Sequence, residues 1–419
     1  SWEWSGEAMA FFPDGDPGGG HVGYPGSLFA TGLATENYVS EISIPAPSLS
    51  RNGEDLPRAQ TLQSFADVRQ GLFANFTELP RVGLEYLPTQ TGQSSGKLYL
   101  AWGQHHHDQY SENTGPTHAW CETDLSNPST RGAWWMGPED QAQTGFIYSV
   151  NGYLFAIADQ WADNNVGGMR LASGRYRDGG WSGMGPTLIA SGPWLDGSPP
   201  AANAELSYET LLLYAYIQED PTGPRLNGYA HSDEWKGGAW IEAGGSSAVV
   251  FVGTKGSGYN WYGYYTPDSV PAPPLYDGEA PCAHGEGGEY MCYQPDGVTP
   301  CTEQELQLCA GADVEVESKG WWSSRFDAQM IFYDPDDFAA VAAGTMEPYE
   351  PQPYATLDID ENLFLNATAG DVTMFIGLGD QRLSRVGETA YDRNNNLLYV
   401  LEIFADDYVP VVHVFEVEA

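Results

Sequence analysis

The run Glu388-Thr389-Ala390-Tyr391, Asp392-Arg393-Asn394-Asn395-Asn396, Leu397-Leu398-Tyr399-Val400-Leu401-Glu402-Ile403-Phe404, followed after a polar corner at Ala405–Tyr408 by Pro410–Val417, holds the fold in miniature. It reads as a strand, an Asn/Asp turn, an apolar strand, a second turn and an alternating strand. In the last of these His413, Phe415 and Val417 point opposite to Val412, Val414 and Glu416, the period of an extended chain. The same order recurs at the other end of the chain. Glu7–Phe12 is a strand, Asp14–Gly26 a long turn, and Ser27–Leu33 and Tyr38–Pro45 are the next two strands. A third copy runs Gly83–Leu87, Lys97–Gly103 and His118–Leu125, with a His-rich loop before its last strand. A Leu-aromatic pair marks the middle strand of each copy: Leu28-Phe29, Leu98-Tyr99 and Leu398-Tyr399.

Further units fit this pattern more loosely: Tyr153–Ile157, Met169–Arg175 and Pro186–Ser191; Leu211–Ile217, Arg225–His231 and Gly238–Glu242; and Ala248–Gly253, Tyr259–Tyr265 and Ala328–Tyr333. Repeated up-and-down strands in units of roughly 40 to 70 residues are the pattern of propeller blades, since a lone meander cannot bury both faces and radial stacking can. The expected fold is all-β, a single β-propeller over residues 1–419, with about six blades. Five or seven blades remain compatible, because positions 46–80 and 345–385 carry no assigned strand. Pairing of the terminal strands would close the ring and remove exposed edges. A β-sandwich or two separate sheets is the alternative.

Composition agrees. The chain has 50 glycines, 29 prolines and 13% aromatic residues, which suits short strands joined by tight turns. The 57 acidic residues against 17 basic ones give a net charge of −40, which argues against nucleic acid or an anionic membrane as partner. Such charge serves solubility in a salty or extracellular setting, or the binding of cations, chiefly Ca²⁺. No apolar run approaches the roughly 20 residues of a membrane helix, so no membrane insertion is expected. The first residue is Ser1, as removal of a signal peptide would leave it, and the expectation is a secreted, extracellular protein.

Four of the five cysteines cluster as Cys282, Cys292, Cys301 and Cys309 in a Gly-rich segment, which reads as two disulfides in an oxidising compartment. Three pairings are open. No Cys-x-x-Cys pair supports zinc or c-type haem. These cysteines lie in an insertion, 267–319, that opens on a Pro-rich stretch and has too few large apolar residues for a core of its own. Cys121 is left over and reads as a buried, inert thiol.

The runs Ser5-Gly6-Glu7-Ala8-Met9, Tyr24-Pro25-Gly26-Ser27-Leu28-Phe29, Val39-Ser40-Glu41-Ile42-Ser43-Ile44-Pro45, Gly179-Gly180-Trp181-Ser182-Gly183 and Met346-Glu347-Pro348-Tyr349-Glu350-Pro351 resemble segments of an uncharacterised group of secreted bacterial proteins. The likeness spans most of the chain and implies no activity. More distantly, composition and architecture look like those of propeller-type polysaccharide lyases, which use His, Tyr and Arg. No motif aligns residue by residue, so no catalytic role carries over.

Three constellations are candidate sites. Gln104-His105-His106-His107-Asp108 lies between two strands with His118 opposite; His105 and His107 share one side of an extended chain and could bind a metal or a glycan. Arg175, Arg177, Asp178 and Trp181 combine guanidinium groups for a carboxylate or sulfate with an indole for a sugar ring. Tyr229, His231, Asp233, Glu234 and Trp235 place a Tyr/His pair where it could move a proton in a β-elimination. Salt bridging, packing and loop polarity are the plain alternatives for each. Should the three loops open on one face, they would make a single site over the central channel. Calcium candidates are Asp14 with Asp16, Asp334 with Asp336 and Asp337, and Asp358 with Asp360 and Glu361; none has the EF-hand spacing, and turn chemistry explains them equally well. Sequons stand at Asn75 and Asn366.

The functional expectation is an extracellular binding or structural propeller for a glycan, a matrix component or copies of itself, with self-assembly aided by Ca²⁺. The alternative is a carbohydrate-active enzyme, lyase or hydrolase, with His231, Tyr229 and Arg175 as its catalytic candidates. No carboxylate spacing singles out a glycosidase pair.

Overall fold

Antiparallel meanders follow one another along the chain and close into a ring of five blades. The computed structural model describes residues 1–419 apart from 18, 20–22, 78–80, 105–114, 138–148, 176–182, 217–219, 221, 264–291, 303–319, 365–381, 384 and 419. Blade one is β1 (Met9–Phe12), β2 (Gly23–Thr31), β3 (Val39–Pro45) and β4 (Thr61–Ala66). Blade two is β5 (Arg81–Leu87), β6 (Lys97–Gly103), β7 (His118–Glu122) and β8 (Arg131–Met136). Blade three is β9 (Tyr153–Ala156), β10 (Leu171–Gly174), β11 (Leu188–Ser191) and β13 (Tyr208–Leu212), with α1 (Asp159–Asn165) between its first two strands. Its strand β12 (Glu205–Leu206) reaches across to pair in parallel with β8, covering the outer edge of blade two. Blade four is β14 (Glu234–Ala243), β15 (Ser246–Gly263), β17 (Gly320–Tyr333) and β18 (Ala355–Asp358), with β16 (Cys292–Tyr293) beside β15 and α2 (Pro335–Ala342) before β18. Blade five has three strands among the described residues, β19 (Val386–Asp392), β20 (Leu397–Asp406) and β21 (Val409–Glu416).

The first strand of each blade faces the axis. β1 touches β5 and β19, β9 touches β5 and β14, and β14 touches β19, which closes the circle. Between every two neighbouring blades lies one apolar cluster, and this explains the Leu-aromatic pairs. Leu98 packs toward blade one with Phe29 and Trp102, while Tyr99 packs toward blade three with Leu154 and Ile189. Leu398 joins Val250 and Met330 of blade four, while Tyr399 joins Phe11 and Leu28 of blade one. Adjacent residues on a strand point to opposite faces, so each pair sends its leucine to the preceding blade and its ring to the following one. Innermost strands converge so closely that some positions admit no side chain. A Cβ on Gly83 would lie on the backbone of Tyr153 and Leu154, and one on Gly387 on the carbonyl of Gly6.

The blade count settles at five because the expected unit Leu211–Ile217, Arg225–His231, Gly238–Glu242 divides. Leu211 ends blade three, Gly238 lies on the innermost strand of blade four, and Arg225–His231 forms no strand. Ala248–Gly253 and Tyr259 belong to one long strand, β15. The expected pairing of terminal strands gives way to packing. Among the described residues blades one and five share no hydrogen-bonded strand. Trp4 instead donates its N–H to the Tyr408 carbonyl at 2.7 Å and packs its ring on Phe404 and Tyr408.

Candidate functional site

With the first strand at the axis, the loops from second to third strand and from one blade to the next open on one face, and all others on the opposite face. The strands β6, β10 and β13, which precede the three predicted constellations, all end on that same face. His105, His107, Arg177, Asp178 and Trp181 lie outside the described residues. Arg175 is described and buried, and its Nη1 donates to the Gln104 carbonyl at 3.2 Å and to Asn151 Oδ1 at 2.9 Å. That contact ties the root of the His-rich loop to the root of the Arg loop. His118 is fully buried, with Nδ1 2.8 Å from Thr117 Oγ1 and Nε2 3.0 Å from Ser173 Oγ; burial drives its pKa down to about 3, so its imidazole is neutral. Trp235 is 2% exposed and belongs to the core between blades three and four.

The third constellation meets something the sequence reading did not single out. Beyond Thr254, where its pairing with β14 ends, β15 runs on as a tower paired with β17 and, at Asn260 and Trp261, with the short β16. Nine residues at about 3.3 Å each carry it roughly 25–30 Å past the disc on the same face. His231 stacks on Trp321 of β17 at 4.3 Å between ring centroids and 18° between planes, and packs against Tyr293 at 4.6 Å. Tyr262 meets Trp321 edge-on at 5.6 Å. Trp321, Tyr293 and Tyr262 are half-buried, so part of this aromatic cluster reaches solvent. The Tyr229 hydroxyl lies 3.3 Å from His231 Nδ1. Below the rings, Ser232, Asn260 and Ser323 bond together, Ser232 Oγ donating to Asn260 Oδ1 at 2.8 Å, which locks the 229–235 segment to the tower. Asp233 accepts from Lys255 Nζ and from the Gly256 N–H, both at 2.8 Å. Burial raises its pKa, and Lys255 offsets that only in part. The Cys292–Cys301 disulfide staples the tower beside Tyr293, while Cys282 and Cys309 lie outside the described residues. Cys121 is buried and unbonded, and burial pushes its thiol up.

Near the starts of the innermost strands, charged residues of four blades come together: Glu7, Arg81, Lys236 and Glu388. Irregular pairing at β14 and β19 supplies two of them, because Lys236 and Glu388 fall where the register shifts. Arg81 lies 3.4 Å from Glu7, and Lys236 lies 3.9 Å from Glu7 and 3.8 Å from Glu234. Burial pushes the Glu7 carboxyl up, but Arg81 and Lys236 together outweigh it and hold it below its ordinary value. Deeper in the channel, burial raises Glu85 to about 7 against the pull of Arg393. None of these acids stood out among 57 in the sequence; the signal was their place beside glycine, as in Gly6-Glu7 and Gly387-Glu388.

The calcium candidates separate. Asp334 caps α2 by accepting the Asp336 N–H at 2.9 Å, and Asp14 accepts from the Tyr86 hydroxyl; both pairs lie on the opposite face. Asp358 and Asp360 join Asp327 on the rim of blade four, where their ligand atoms lie within 4.8 Å of one another. This all-oxygen set suits a hard cation. Arg325 and Arg385 already pair with Asp327 and Asp360. Burial raises Asp360, with Asp358 and Asp327 adding to it and Arg385 opposing it.

The chain thus defines a five-bladed β-propeller with one loop-bearing face. No protein-family model and no curated protein sequence matches it. Among the described residues no helix is long and apolar enough to cross a membrane.

Proposed function

We propose that the protein is an extracellular binding propeller that takes a glycan on the loop-bearing face. The observation that carries this reading is the platform of Trp321, Tyr293 and Tyr262 around His231, held above the disc by a stapled tower. Planar rings with one side toward water stack on the C–H faces of sugars, while nearby polar loops supply hydrogen bonds. A disulfide suits an oxidising compartment. The acidic surface, at a net charge of −40, turns away nucleic acid and favours neutral polysaccharides or those presented with cations. The test is affinity electrophoresis through gels containing soluble polysaccharides. The expected result is retardation by at least one, with Trp321→Ala weakening the affinity by about tenfold or more, as loss of a central aromatic anchor does. Equal migration of both proteins in every retarding gel removes the platform from recognition.

A second reading, cleavage of a polysaccharide by elimination, is favoured by the Tyr229 hydroxyl set 3.3 Å from His231 Nδ1. It requires unsaturated ends in the retained polysaccharide, and their disappearance with His231→Ala. Retention without any new chain ends leaves binding alone.

A further inference from the structure

The joint between blades one and five is the only one that also joins the two ends of the chain. Among the described residues no strand crosses it; an apolar cluster, the Trp4 contacts and a bond from the Glu388 N–H to the Gly6 carbonyl at 3.3 Å hold it. Glu388 is 0% exposed there. Its Oε1 accepts the Thr389 N–H at 3.0 Å and sits in room that Gly237 leaves open, since a Cβ on that glycine would come within 2.6 Å of it. Its Oε2 has no hydrogen-bond partner among the described residues. Glu7 of blade one, Glu85 of blade two and Tyr153 of blade three interact with this carboxyl, with Arg81 of blade two and Lys236 of blade four beside Glu7 and Glu234 beside Lys236. The cations are engaged elsewhere: Arg81 and Lys236 with Glu7 and Glu234, and Arg393 with Glu85. Among the described residues no ion pair reaches Glu388.

We propose that Glu388 is a proton-held latch on this seam: with its proton, the carboxyl fits its buried place and the ring stays closed; without it, a third negative charge beside Glu7 and Glu85 forces the first and last blades apart. Burial raises Glu388 well above its ordinary value, and Glu85 and Glu7 raise it further, against the lowering pull of the Thr389 and Gly238 N–H groups. The sign follows by linkage. A carboxyl whose folded pKa lies above its unfolded one contributes stability in full below the unfolded value, about 4.5 here, and loses it as pH rises through the folded value. Glu85 has the same sign, and its share goes as pH passes about 7. Glu7 has the opposite sign, its share being lost as pH falls.

The experiment is the melting temperature of the full chain between about pH 5 and 9 for the native protein, Glu388→Gln and Glu85→Gln. The native Tm should fall toward alkaline pH. Glu388→Gln, with a neutral amide of the same shape, should melt above the native protein at the alkaline end and lose most of the slope there. Glu85→Gln should remove only the part centred near neutrality. A Glu388→Gln protein that keeps the native slope above neutral pH overturns the proposal. Should that variant misfold, hydrogen exchange of the native chain decides. Amides of residues 4–9 and 403–408 should exchange several-fold faster at alkaline pH than the intrinsic rate accounts for, relative to the joint between blades two and three. A uniform response of both joints also overturns it.

Discussion

Blade four and blade five start alike and end differently. Each begins with an irregular innermost strand that turns one charged side chain to the axis, Lys236 in one and Glu388 in the other. From there blade four extends well past the disc through β15 and β17 and adds β16, a disulfide and an aromatic platform. Blade five has three described strands, and its first strand lies on the joint that closes the ring. The inner half of each blade is constrained by closure, because five strands must meet around one axis with almost no room for side chains. The half that projects beyond the face is released from ring closure and is shaped by its own hydrogen bonds and its contacts with the 229–235 segment and β16. The proposed binding surface falls on the free half and the buried titratable carboxyls on the constrained half.

The hardest way to break this contrast is at the joint. In Gly387→Val the new Cβ would fall on the Gly6 carbonyl, a backbone atom that cannot swing aside. The expected cost is about 3 kcal/mol or more, read as a lower urea midpoint, and it should disrupt the whole disc. Gly53→Ala, at a position with nothing within 4 Å, should stay within about 0.5 kcal/mol of the native protein. Equal midpoints for the two variants would mean that closure does not depend on the axial approach.

A smaller and local effect is expected on the tower. Removing the Cys292–Cys301 staple with paired serines frees a short loop, worth about 2–3 kcal/mol to the segment it closes. The disc core does not include these residues, which pack in a separate cluster with Trp261, Trp322 and Phe326. The main melting transition should therefore move little, while polysaccharide retention falls toward that of Trp321→Ala. A large drop in the main transition would show that the tower and the disc unfold as one unit, which the separate clusters argue against.

How legible these features were in the sequence depends on how local their causes are. The Leu-aromatic pairs were legible because each answers to two flanking blades at fixed period, and that pattern survives in a single strand. The count of five was less so, since Arg225–His231 has the composition of a strand yet bonds to loops, and nothing local separates the two. The placement of Tyr229, His231 and Asp233 together was readable from their spacing. Their partners were not, because Tyr293 lies within the Cys-rich insertion and Trp321 beyond it; the dense rings of Tyr259-Asn260-Trp261-Tyr262 and Trp321-Trp322 on either side of it were the available clue. Glu388 was hidden for another reason: its character comes from the other four innermost strands, and no window of sequence contains them.

The gentlest test concerns the rim of blade four, where the same strands that build the tower set Asp327 beside Asp358 and Asp360. Two arginines already neutralise part of this charge, so a cation there gains less than at a bare cluster of three carboxylates. Binding of Ca²⁺ should then be weak, at about the millimolar level of extracellular modules, and should raise Tm by about 1–2 °C at saturating calcium. Asp360→Asn should remove that increment, because it takes away the carboxylate nearest Arg385 and leaves only two acids in place. Asp334→Asn should retain it, since Asp334 caps a helix on the opposite face. A calcium increment that survives in Asp360→Asn would move the cation away from this rim. No increment in the native protein would leave the three aspartates as partners of the arginines alone, and the contrast between blades four and five would then rest on the aromatic platform and the latch.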